Sequence, residues 1–334
     1  MIKYQLSKIK TENSEEISCI LAFLPLSKDS YLEIEFVSIG AGIRSISYID
    51  TAKDIKKLLT LSYKDVFESC HNPSLAGLTI GPNAGRLEAN KNITLKDDDA
   101  HITVCLPANE DGVKQIHGGS HKLSDQNWHF EGAFNLDDGS LEVRFSNAQE
   151  DGLDGWPGNR KYQVQYRISD NGTLTIHFEA NSDKDTYINI TNHTYWLRDN
   201  LNLKINSNSY IKNRDDFLPE EIVSINDASY YQVTTDDILN NAFLSEDCSE
   251  PIASLEYSDI PLKINLSSDT PALVVYTGDY LDNTATLCND TCSAPACAIA
   301  LEPQELYPFT NTRLTTPTNN FERTIVYTFS GGDW

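Results

Sequence analysis

Glu302 is a carboxylate at the end of a predicted strand, where it could act as a base. Residues alternate between the two faces of a strand, so Glu302 shares its face with Ala298 and Ala300. We expect Pro303 to stop this strand, which places Glu302 at the end of the strand. A carboxylate beside such an apolar strand is partly desolvated, which raises its proton affinity and suits it to base catalysis. The alternative is a solvated glutamate at a strand end.

His193 could supply the matching acid, because an unperturbed imidazole has a pKa of about 6.5 and exchanges protons near neutrality. After the polar turn at 183–185, a period-two pattern predicts a strand with Ile188 and Ile190 on one face. The other face carries hydroxyls, an amide, an imidazole and aromatic rings, from Tyr187, Asn189, Thr191, His193 and Tyr195. These groups match the lining of a sugar site, where rings stack on C–H faces and polar groups bind hydroxyls. A solvated sheet face is the alternative interpretation.

The other histidines, cysteines and carboxylates lack the spacing of a metal site. Glycines between His117 and His121 disfavour the helix that an i, i+4 pair of zinc ligands would use. The cysteines of 288–297 fit neither paired C-x-x-C zinc ligation nor the usual iron–sulfur patterns. The aspartates of 151–154 fall short of a calcium loop and are interpreted as turn residues. The sequence therefore predicts no metal site.

A β-hairpin is predicted directly before the His193 segment. Two runs of alternating apolar and polar residues flank the turn Asp170-Asn171-Gly172. The apolar members are Tyr162, Val164, Tyr166, Ile168, Leu174, Ile176, Phe178 and Ala180. Glycines and a proline in 151–158 predict a tight, irregular loop that leads into the hairpin.

Strands are also predicted near the start of the chain. Residues 17–26 form an apolar run that we interpret as a strand, since it is too short to span a bilayer. Residues 31–48 predict two strands joined by a bend at Gly40-Ala41-Gly42. The pattern of 53–63 fits either a short helix or an irregular crossover.

The composition of the 334 residues favours an all-β protein. A single methionine, 16 tyrosines and 17 glycines accompany a scarcity of long apolar runs at helical spacing, which indicates sheets and turns. No linker, repeat or low-complexity tract interrupts the sequence, so we predict a single domain over residues 1–334.

The charge and the cysteines limit partners and location. A formal net charge of −23 and a pI of about 4.5 argue against nucleic-acid binding and disfavour a phosphorylated sugar. Seven cysteines, an odd number at no disulfide-framework spacing, predict reduced thiols. Without a signal peptide or membrane segment, we expect a cytoplasmic protein, either a monomer or a homodimer.

Several motifs, taken in order, resemble those of the aldose 1-epimerases, also called galactose mutarotases. Asp151-Gly-Leu-Asp-Gly-Trp-Pro-Gly158 and Asn192-His-Thr-Tyr-Trp196 are similar to the family's Asp-Gly-x-x-Gly-aromatic-Pro-Gly and Asn-His-Ser/Thr-Tyr-aromatic motifs. The other matching segments are Gly40-Ala-Gly42, Gly81-Pro-Asn-Ala-Gly-Arg-Leu-Glu-Ala-Asn90, Gln115-Ile-His-Gly-Gly119, Tyr276-Thr-Gly-Asp-Tyr-Leu-Asp282 and Leu301-Glu-Pro-Gln304. The resemblance covers nearly the whole chain. It implies a large antiparallel β-sandwich, the galactose mutarotase-like supersandwich.

The resemblance implies an enzyme that interconverts the α and β anomers of a free hexose such as galactose or glucose. In that reaction Glu302 is the base that takes the anomeric hydroxyl proton, and His193 is the acid that protonates the ring oxygen. His117 and Arg86 match family positions that bind the sugar and stabilise charge on its oxygens, a task suited to fixed donors. Proton transfers and a bond rotation suffice, so no cofactor is expected.

Three amide side chains are further candidates for binding sugar hydroxyls. Asn90 and Gln304 are candidates for hydroxyl binding or for support of the site. Asn240 occupies the place of an aspartate that binds sugar hydroxyls in the family, and an amide there brings no charge. Under a shifted alignment, Asp236 or Asp237 fills that role instead.

Two other classes of protein compete with this interpretation, together with one variant of it. A non-catalytic sugar-binding or regulatory protein can use the same fold, because fold does not fix function. The presence of both Glu302 and His193 favours the enzyme. A glycoside hydrolase would need two carboxylates, for example Asp154 with Glu302. A hexose-6-phosphate epimerase is disfavoured by the acidic composition.

Overall fold

The fold is built almost entirely of strands. The structure, a computed structural model, describes residues 1–10, 15–71, 73–97, 100–225, 230–245, 250–310 and 312–331. The first elements are β1 (Lys3–Lys10), β2 (Glu16–Pro25), β3 (Ser30–Val37), β4 (Gly42–Asp50), β5 (Ile55–Leu58), α1 (Val66–His71), β6 (Thr79–Ile80), β7 (Leu87–Glu88), β8 (Asn92–Lys96), β9 (His101–Cys105), β10 (Lys114–Gln115), β11 (His129–Asn135), β12 (Leu141–Gln149), β13 (Arg160–Ser169) and β14 (Thr173–Ser182). They are followed by β15 (Thr186–Tyr187), β16 (Thr191–Asn192), β17 (Tyr195–Leu197), β18 (Leu201–Ile205), β19 (Ser209–Asn213), β20 (Pro219–Ser224), β21 (Tyr231–Val233), β22 (Asn240–Leu244), β23 (Ala253–Tyr257), β24 (Leu262–Ser268), β25 (Ala272–Tyr276), β26 (Ala298–Gln304), β27 (Leu314–Thr315) and β28 (Phe321–Gly331). Two 3-10 turns lie at Leu123–Asp125 and Leu153–Gly155.

Most of these strands belong to three large antiparallel sheets. The first sheet has the order β1-β2-β3-β4-β5, and the second has the order β11-β12-β13-β14-β28-β24-β23-β18-β21. The third sheet, which carries the candidate site, has the order β17-β26-β25-β22-β19-β20. The pairs β10-β7, β15-β27, β16-β6 and β8-β9 complete the described pairing. The predicted all-β, antiparallel architecture is confirmed, whereas the single domain over 1–334 stays a prediction.

The core lies between the large sheets. The predicted hairpin forms as β13 and β14, with its register running from Arg160 opposite Ser182 to Ser169 opposite Thr173. Its eight apolar residues are at most 2% exposed, and they share one hydrophobic cluster with side chains of the first and third sheets. Full burial of one such side chain contributes about 1.5–3 kcal/mol, which explains why the alternating pattern determines which face turns inward.

The predicted strand through His193 is instead three short strands. In this segment β15 pairs with β27, β16 pairs with β6, and β17 pairs with β26. Each partner belongs to a different sheet, so the segment crosses between sheets rather than following one. All of residues 186–197 are buried, so the alternative of a solvated sheet face is wrong.

Three local predictions have different outcomes. The bend at 40–42 lies between β3 and β4 as expected, but part of 53–63 forms the edge strand β5 rather than a helix or an irregular crossover. Pro303 does not stop its strand, since β26 continues to Gln304. The backbone N–H of Leu301 points towards the chain of β17. The backbone nitrogen of Pro303, two residues later, points in the same direction, but the pairing with β17 has already ended there. The missing N–H of proline therefore removes no ladder hydrogen bond there.

Candidate active site

A cavity of about 690 Å³ opens over one face of the third sheet. It is lined by residues of the strands β17, β19, β20, β22, β25 and β26, by one residue of α1, and by loops from several parts of the chain. Six of the seven predicted site residues line it: Arg86, His117, His193, Asn240, Glu302 and Gln304. The seventh, Asn90, does not. Most of the predicted site is therefore assembled in one place.

Strand register explains why His193 and Glu302 meet. Tyr195 of β17 pairs with Ala300 of β26, so continuing this antiparallel register by two residues places His193 opposite Glu302. On the other side of β26, Glu302 pairs with Val274 of β25. Directly opposite residues on neighbouring strands point to the same face. The sheet thus aims both ionisable side chains into the cavity.

His193 and Glu302 form a buried pair. The Nε2 atom of His193 lies 3.3 Å from Oε1 of Glu302, and each side chain is 5% exposed. The imidazole stacks on the ring of Tyr195, with centroids 4.9 Å apart, and meets His117 edge-on at 5.6 Å. These ring contacts fix the imidazole plane, so the two ionisable side chains are held in position relative to each other.

Burial shifts the proton affinities of this pair in opposite directions. Desolvation raises the pKa of Glu302 to about 8, and the positive charge of Arg86 opposes that rise. Desolvation lowers the pKa of His193 to about 4; its own backbone carbonyl opposes this shift and Arg86 adds to it. Between these values the pair holds one proton, and burial favours the arrangement with neutral carboxyl and neutral imidazole.

Backbone hydrogen bonds hold His193 against the segment 77–78. Its N–H donates to the carbonyl of Leu78 at 2.9 Å, and its carbonyl accepts from the N–H of Gly77 at 2.8 Å. The carbonyl of Gly77 accepts from the N–H of Ile43 at 2.9 Å and from Nδ2 of Asn192 at 2.7 Å. Gly77 has a φ of +75°, and a Cβ there would lie 1.9 Å from the carbonyl oxygen of Ile43. This position therefore requires glycine.

The substitution Gly77→Ala is expected to lower the free energy of unfolding by about 1–3 kcal/mol more than Gly112→Ala does. Gly112 is a matched control, because its φ of +70° imposes a similar backbone strain but nothing lies within 4 Å of its added methyl. Only at Gly77 does the methyl meet a carbonyl. Chemical denaturation of both variants measures the difference. Equal losses would show that this close approach does not constrain the fold.

His117 contributes a hydrogen-bond acceptor to the cavity. Its Nδ1 donates to the carbonyl of Ala84 at 2.9 Å, since a carbonyl oxygen only accepts, and this leaves Nε2 with a lone pair. Burial lowers the pKa of His117 well below its usual range, and the neighbouring His193 and Arg86 act in the same direction. The imidazole is therefore neutral. A sugar hydroxyl can donate to it, which differs from the donor role expected from the sequence.

Arg86 is held by a carboxylate that the motifs did not single out. Its Nε donates to Oε2 of Glu110 at 2.9 Å, and its Nη2 donates to Oε1 at 3.1 Å. The guanidinium also lies over the ring of Phe217, with its central carbon 5.4 Å from the centroid. A second cation, the buried Lys114, lies 3.5 Å from Glu110. Bidentate pairing orients Arg86 along the cavity wall and partly neutralises its charge.

Gln304 offers an unused acceptor. The side chain is 1% exposed, and its Oε1 has no hydrogen-bond partner within the part of the chain that the structure describes. A buried polar group left without a partner costs about 1–3 kcal/mol. A hydroxyl that binds beside Gln304 can therefore gain more than an average hydrogen bond.

The remaining amide and acidic candidates lie in different places. Asn240 lines the cavity, whereas Asp236 and Asp237 do not. Asp237 accepts instead from the hydroxyl of Tyr231 at 2.9 Å. The exposed Asn90 donates to a backbone carbonyl, that of residue 112, at 3.0 Å. These positions favour Asn240 over the two aspartates, and Asn90 lies outside the cavity lining.

Neither a metal centre nor a membrane helix is found in the described ranges. No group of three or more His, Cys, Asp or Glu side chains in those residues is arranged to hold a metal ion. The backbone N–H of the exposed His121 donates to the carboxylate of Asp154 at 2.7 Å. No described helix is long and apolar enough to cross a membrane.

The fold defines a large antiparallel β-sandwich with a cavity over one sheet, and the comparisons with known proteins place the chain among the isomerases. The chain belongs to the aldose 1-epimerase family, because the family model "Aldose 1-epimerase" matches residues 24–318. An aldose 1-epimerase of Escherichia coli (strain K12) is 24% identical over 256 residues, which cover 67% of this chain and 71% of the relative. An aldose 1-epimerase of Streptococcus thermophilus is 28% identical over 275 residues, which cover 75% and 76%.

The fold also matches a solved structure from end to end. The crystal structure of galactose 1-epimerase from Lactobacillus acidophilus NCFM superposes with a TM-score of 0.81 at 22% identity, and it covers 100% of both chains. The predicted galactose mutarotase type of β-sandwich is therefore confirmed.

Proposed function

We propose that this protein is a mutarotase that interconverts the α and β anomers of free hexoses such as glucose and galactose. The observation that carries the proposal is the buried contact of 3.3 Å between Nε2 of His193 and Oε1 of Glu302 at the cavity. Ring opening needs a base at the anomeric hydroxyl and an acid at the ring oxygen. Two neighbouring side chains that share one proton can supply this base and this acid.

The proton count supports this chemistry. With the shared proton on His193, the Glu302 carboxylate takes the anomeric hydroxyl proton while the imidazolium gives its proton to the ring oxygen. The bond between the anomeric carbon and the ring oxygen breaks, which leaves an aldehyde, a protonated Glu302 and a neutral His193. Burial favours this second arrangement, with a neutral carboxyl and a neutral imidazole, over the starting arrangement with two charges. Rotation about the bond to the adjacent carbon and reversal of both transfers produce the other anomer.

The surrounding polar groups fit the hydroxyls of a sugar. Nε2 of His117 and Oε1 of Gln304 accept hydrogen bonds, while the Arg86 guanidinium donates to an oxygen on which charge develops. Asn240 both donates and accepts. We therefore assign sugar binding to Arg86, His117, Gln304 and Asn240.

The charges around the cavity favour an uncharged sugar. Glu68, Glu110, Asp111 and Asp282 line it, while the guanidinium of Arg86 is already paired with Glu110. A phosphate group would meet these carboxylates without a free cluster of cations. Lower mutarotation rates with glucose 6-phosphate than with glucose are therefore expected.

The hydrolase alternative has little support in the cavity. Asp154 does not line it, and its carboxylate is bound to the backbone of His121. Polarimetry with freshly dissolved α-glucose and α-galactose tests the proposed reaction, and a chromogenic glycoside tests hydrolysis in parallel. Binding without acceleration of either anomerisation would favour the non-catalytic sugar-binding protein.

The enzymatic rate is expected to depend on pH with a plateau between about 4 and 8. Below the plateau the pair gains a second proton, so Glu302 cannot act as a base. Above the plateau the pair loses its only proton, so His193 cannot act as an acid. The measurement is polarimetric kcat/KM against pH, with the spontaneous rate subtracted at each value. A pH–rate profile that falls on one side only, or a plateau in another pH range, would contradict the proposal that the active pair holds one proton.

A further inference from the structure

Two polar residues of the His193 segment do not reach the cavity. Asn189 and Thr191 share the predicted strand face of His193, yet neither lines the cavity, and each is at most 1% exposed. Burying an amide or a hydroxyl costs free energy unless its hydrogen bonds are made within the fold. The partners of these two side chains therefore indicate what the residues do.

One edge of β26 loses its partner strand beside Glu302. The pairing of β26 with β17 ends at Ala300, and the N–H of Leu301 still donates to a carbonyl of the same neighbouring segment at 3.3 Å. Backbone groups of alternate residues point to the same side of a strand, so those of Pro303 and Glu305 point there as well. The neighbouring chain has turned away by then, because β16 pairs with β6. In the described part of the chain, no strand pairs with this edge beyond Leu301.

Thr191 and Asn189 bind this edge through their side chains. Oγ1 of Thr191 donates to the carbonyl of Pro303 at 2.7 Å. The amide of Asn189 binds both backbone groups of Glu305, since Nδ2 donates to the carbonyl and Oδ1 accepts from the N–H, each at 3.0 Å. Proline has no N–H, so all three backbone groups of these two residues on this edge are bound. The two side chains thus take the place of a partner strand at the end of β26.

Asn189 also binds a loop that borders the cavity. Its backbone N–H donates to the carbonyl of Pro82 at 2.7 Å, and its carbonyl accepts from the N–H of Ala84 at 2.8 Å. Its Nδ2 donates to Oδ1 of Asn83 at 3.1 Å. Ala84 in turn accepts from Nδ1 of His117 at 2.9 Å. Asn189 therefore links His117 to the end of β26.

Arg323 fixes the orientation of the Asn189 amide. The guanidinium is 2% exposed, and its Nη1 donates to Oδ1 of Asn189 at 2.9 Å. Oδ1 thus accepts from two donors while Nδ2 donates to two acceptors, which is the full capacity of an amide. A reversed amide would turn Nδ2 towards the guanidinium and lose these bonds. A fully satisfied buried network of this kind specifies a single arrangement.

We propose that Asn189 and Thr191 are positioning residues that hold the reacting carboxylate and the sugar-binding acceptors in place. The proposal rests on the mutarotase function and concerns residues that act through the groups assigned above. Thr191 binds Pro303, the residue after Glu302, so its loss misplaces the base. Asn189 binds the loop and the backbone that hold the hydroxyl acceptors, so its loss weakens sugar binding.

The variants Thr191→Val and Thr191→Ser isolate the hydroxyl of Thr191. Valine keeps the branched shape but loses the bond to Pro303, whereas serine keeps the hydroxyl. We expect Thr191→Val to lower kcat for glucose by about 10–10²-fold at a nearly unchanged KM, because a misplaced reacting group slows the chemical step. Thr191→Ser should restore most of the lost rate. Polarimetry gives both constants, and circular dichroism gives the folded fraction by which kcat is divided.

The variant Asn189→Ala is expected to raise KM for glucose about five- to tenfold, the effect of losing about one hydrogen bond, with a smaller change in kcat. Asn127→Ala is a matched control. Its amide accepts from Oγ of Ser38 at 2.7 Å and donates to the carbonyl of Glu16 at 3.0 Å, but it lies outside the cavity lining. A loss of stability alone lowers the folded fraction and leaves KM unchanged, as expected for the control.

Exchange of the His117 imidazole proton gives a measurement that needs no activity. The Nδ1 proton, bound to the carbonyl of Ala84, should exchange slowly with water in the wild type and in Asn127→Ala. In Asn189→Ala we expect exchange to be at least about tenfold faster, because the loop that carries this carbonyl opens more often. NMR of protein with isotope-labelled histidine measures the rate, and loss of the resonance in His117→Gln assigns it.

These measurements separate the positioning role from the mutarotase function. A wild-type protein that accelerates no sugar would overturn the function, and the imidazole exchange would still decide the role of Asn189. Unchanged KM and unchanged exchange in Asn189→Ala would overturn that role. Equal kcat in Thr191→Val and Thr191→Ser would overturn the role of Thr191, and this comparison decides the proposal if Asn189→Ala does not fold.

Discussion

Replacing Glu302 with glutamine is expected to lower kcat for glucose anomerisation by about 10²–10⁴-fold, the typical worth of a positioned acid or base. The amide keeps the size of the side chain and its place opposite His193, but it has no basic oxygen to take the anomeric proton. The substitution should change the affinity for the sugar hydroxyls less than the rate of the chemical step. KM is therefore expected to change by a smaller factor than kcat. Polarimetry with saturating α-glucose measures the loss.

The same variant should fold at least as well as the wild type. Burial raises the pKa of Glu302 from 4.5 to about 8, so its carboxyl contributes stability below pH 4.5 that is lost as the pH rises through 8. Glutamine removes this dependence, and Glu302→Gln should become more stable relative to the wild type across that window. Glu256→Gln, on an exposed position of β23, is the control that should keep its activity. Near-normal rates in a folded Glu302→Gln would refute the assigned base.

The sequence predicted those parts of the fold whose signal is local. In the hairpin around Asp170-Asn171-Gly172, alternation and turn residues act over a few neighbours, and both strands formed with the expected inward face. The segment 186–197 has the same alternation, yet it divides among three partners. Partner choice depends on strands more than 100 residues away, so periodicity within the segment carries no information about it.

The sequence predicted which residues lie together at the cavity better than it predicted their contacts. Family motifs identified His193 and Glu302, whereas their separation of 3.3 Å follows from the register between β17 and β26, which sequence patterns do not specify. Glu110 was missed because it lies in a loop without a motif, and only the folded chain brings it to Arg86. Asn90 shows the converse, since a motif position alone does not place a side chain in the cavity.

The substitution His193→Asn is also expected to lower kcat by about 10²–10⁴-fold, because asparagine cannot protonate the ring oxygen. The pH limb near 4 should disappear with the imidazole, since that limb reports the second proton taken up by the pair. Asparagine keeps the backbone bonds to Gly77 and Leu78, so circular dichroism should remain that of the folded protein.

Combining His193→Asn with Glu302→Gln provides the sharper test, because the two groups are proposed to share one proton. If each needs the other to open the ring, the first substitution already removes most of what the pair contributes, and the second costs little more. The double variant should therefore be about as slow as either single variant. Independent groups would instead multiply their losses, up to about 10⁴–10⁸-fold. Stopped polarimetric assays at high enzyme concentration distinguish the two outcomes, and multiplied losses would contradict a proton shared across 3.3 Å.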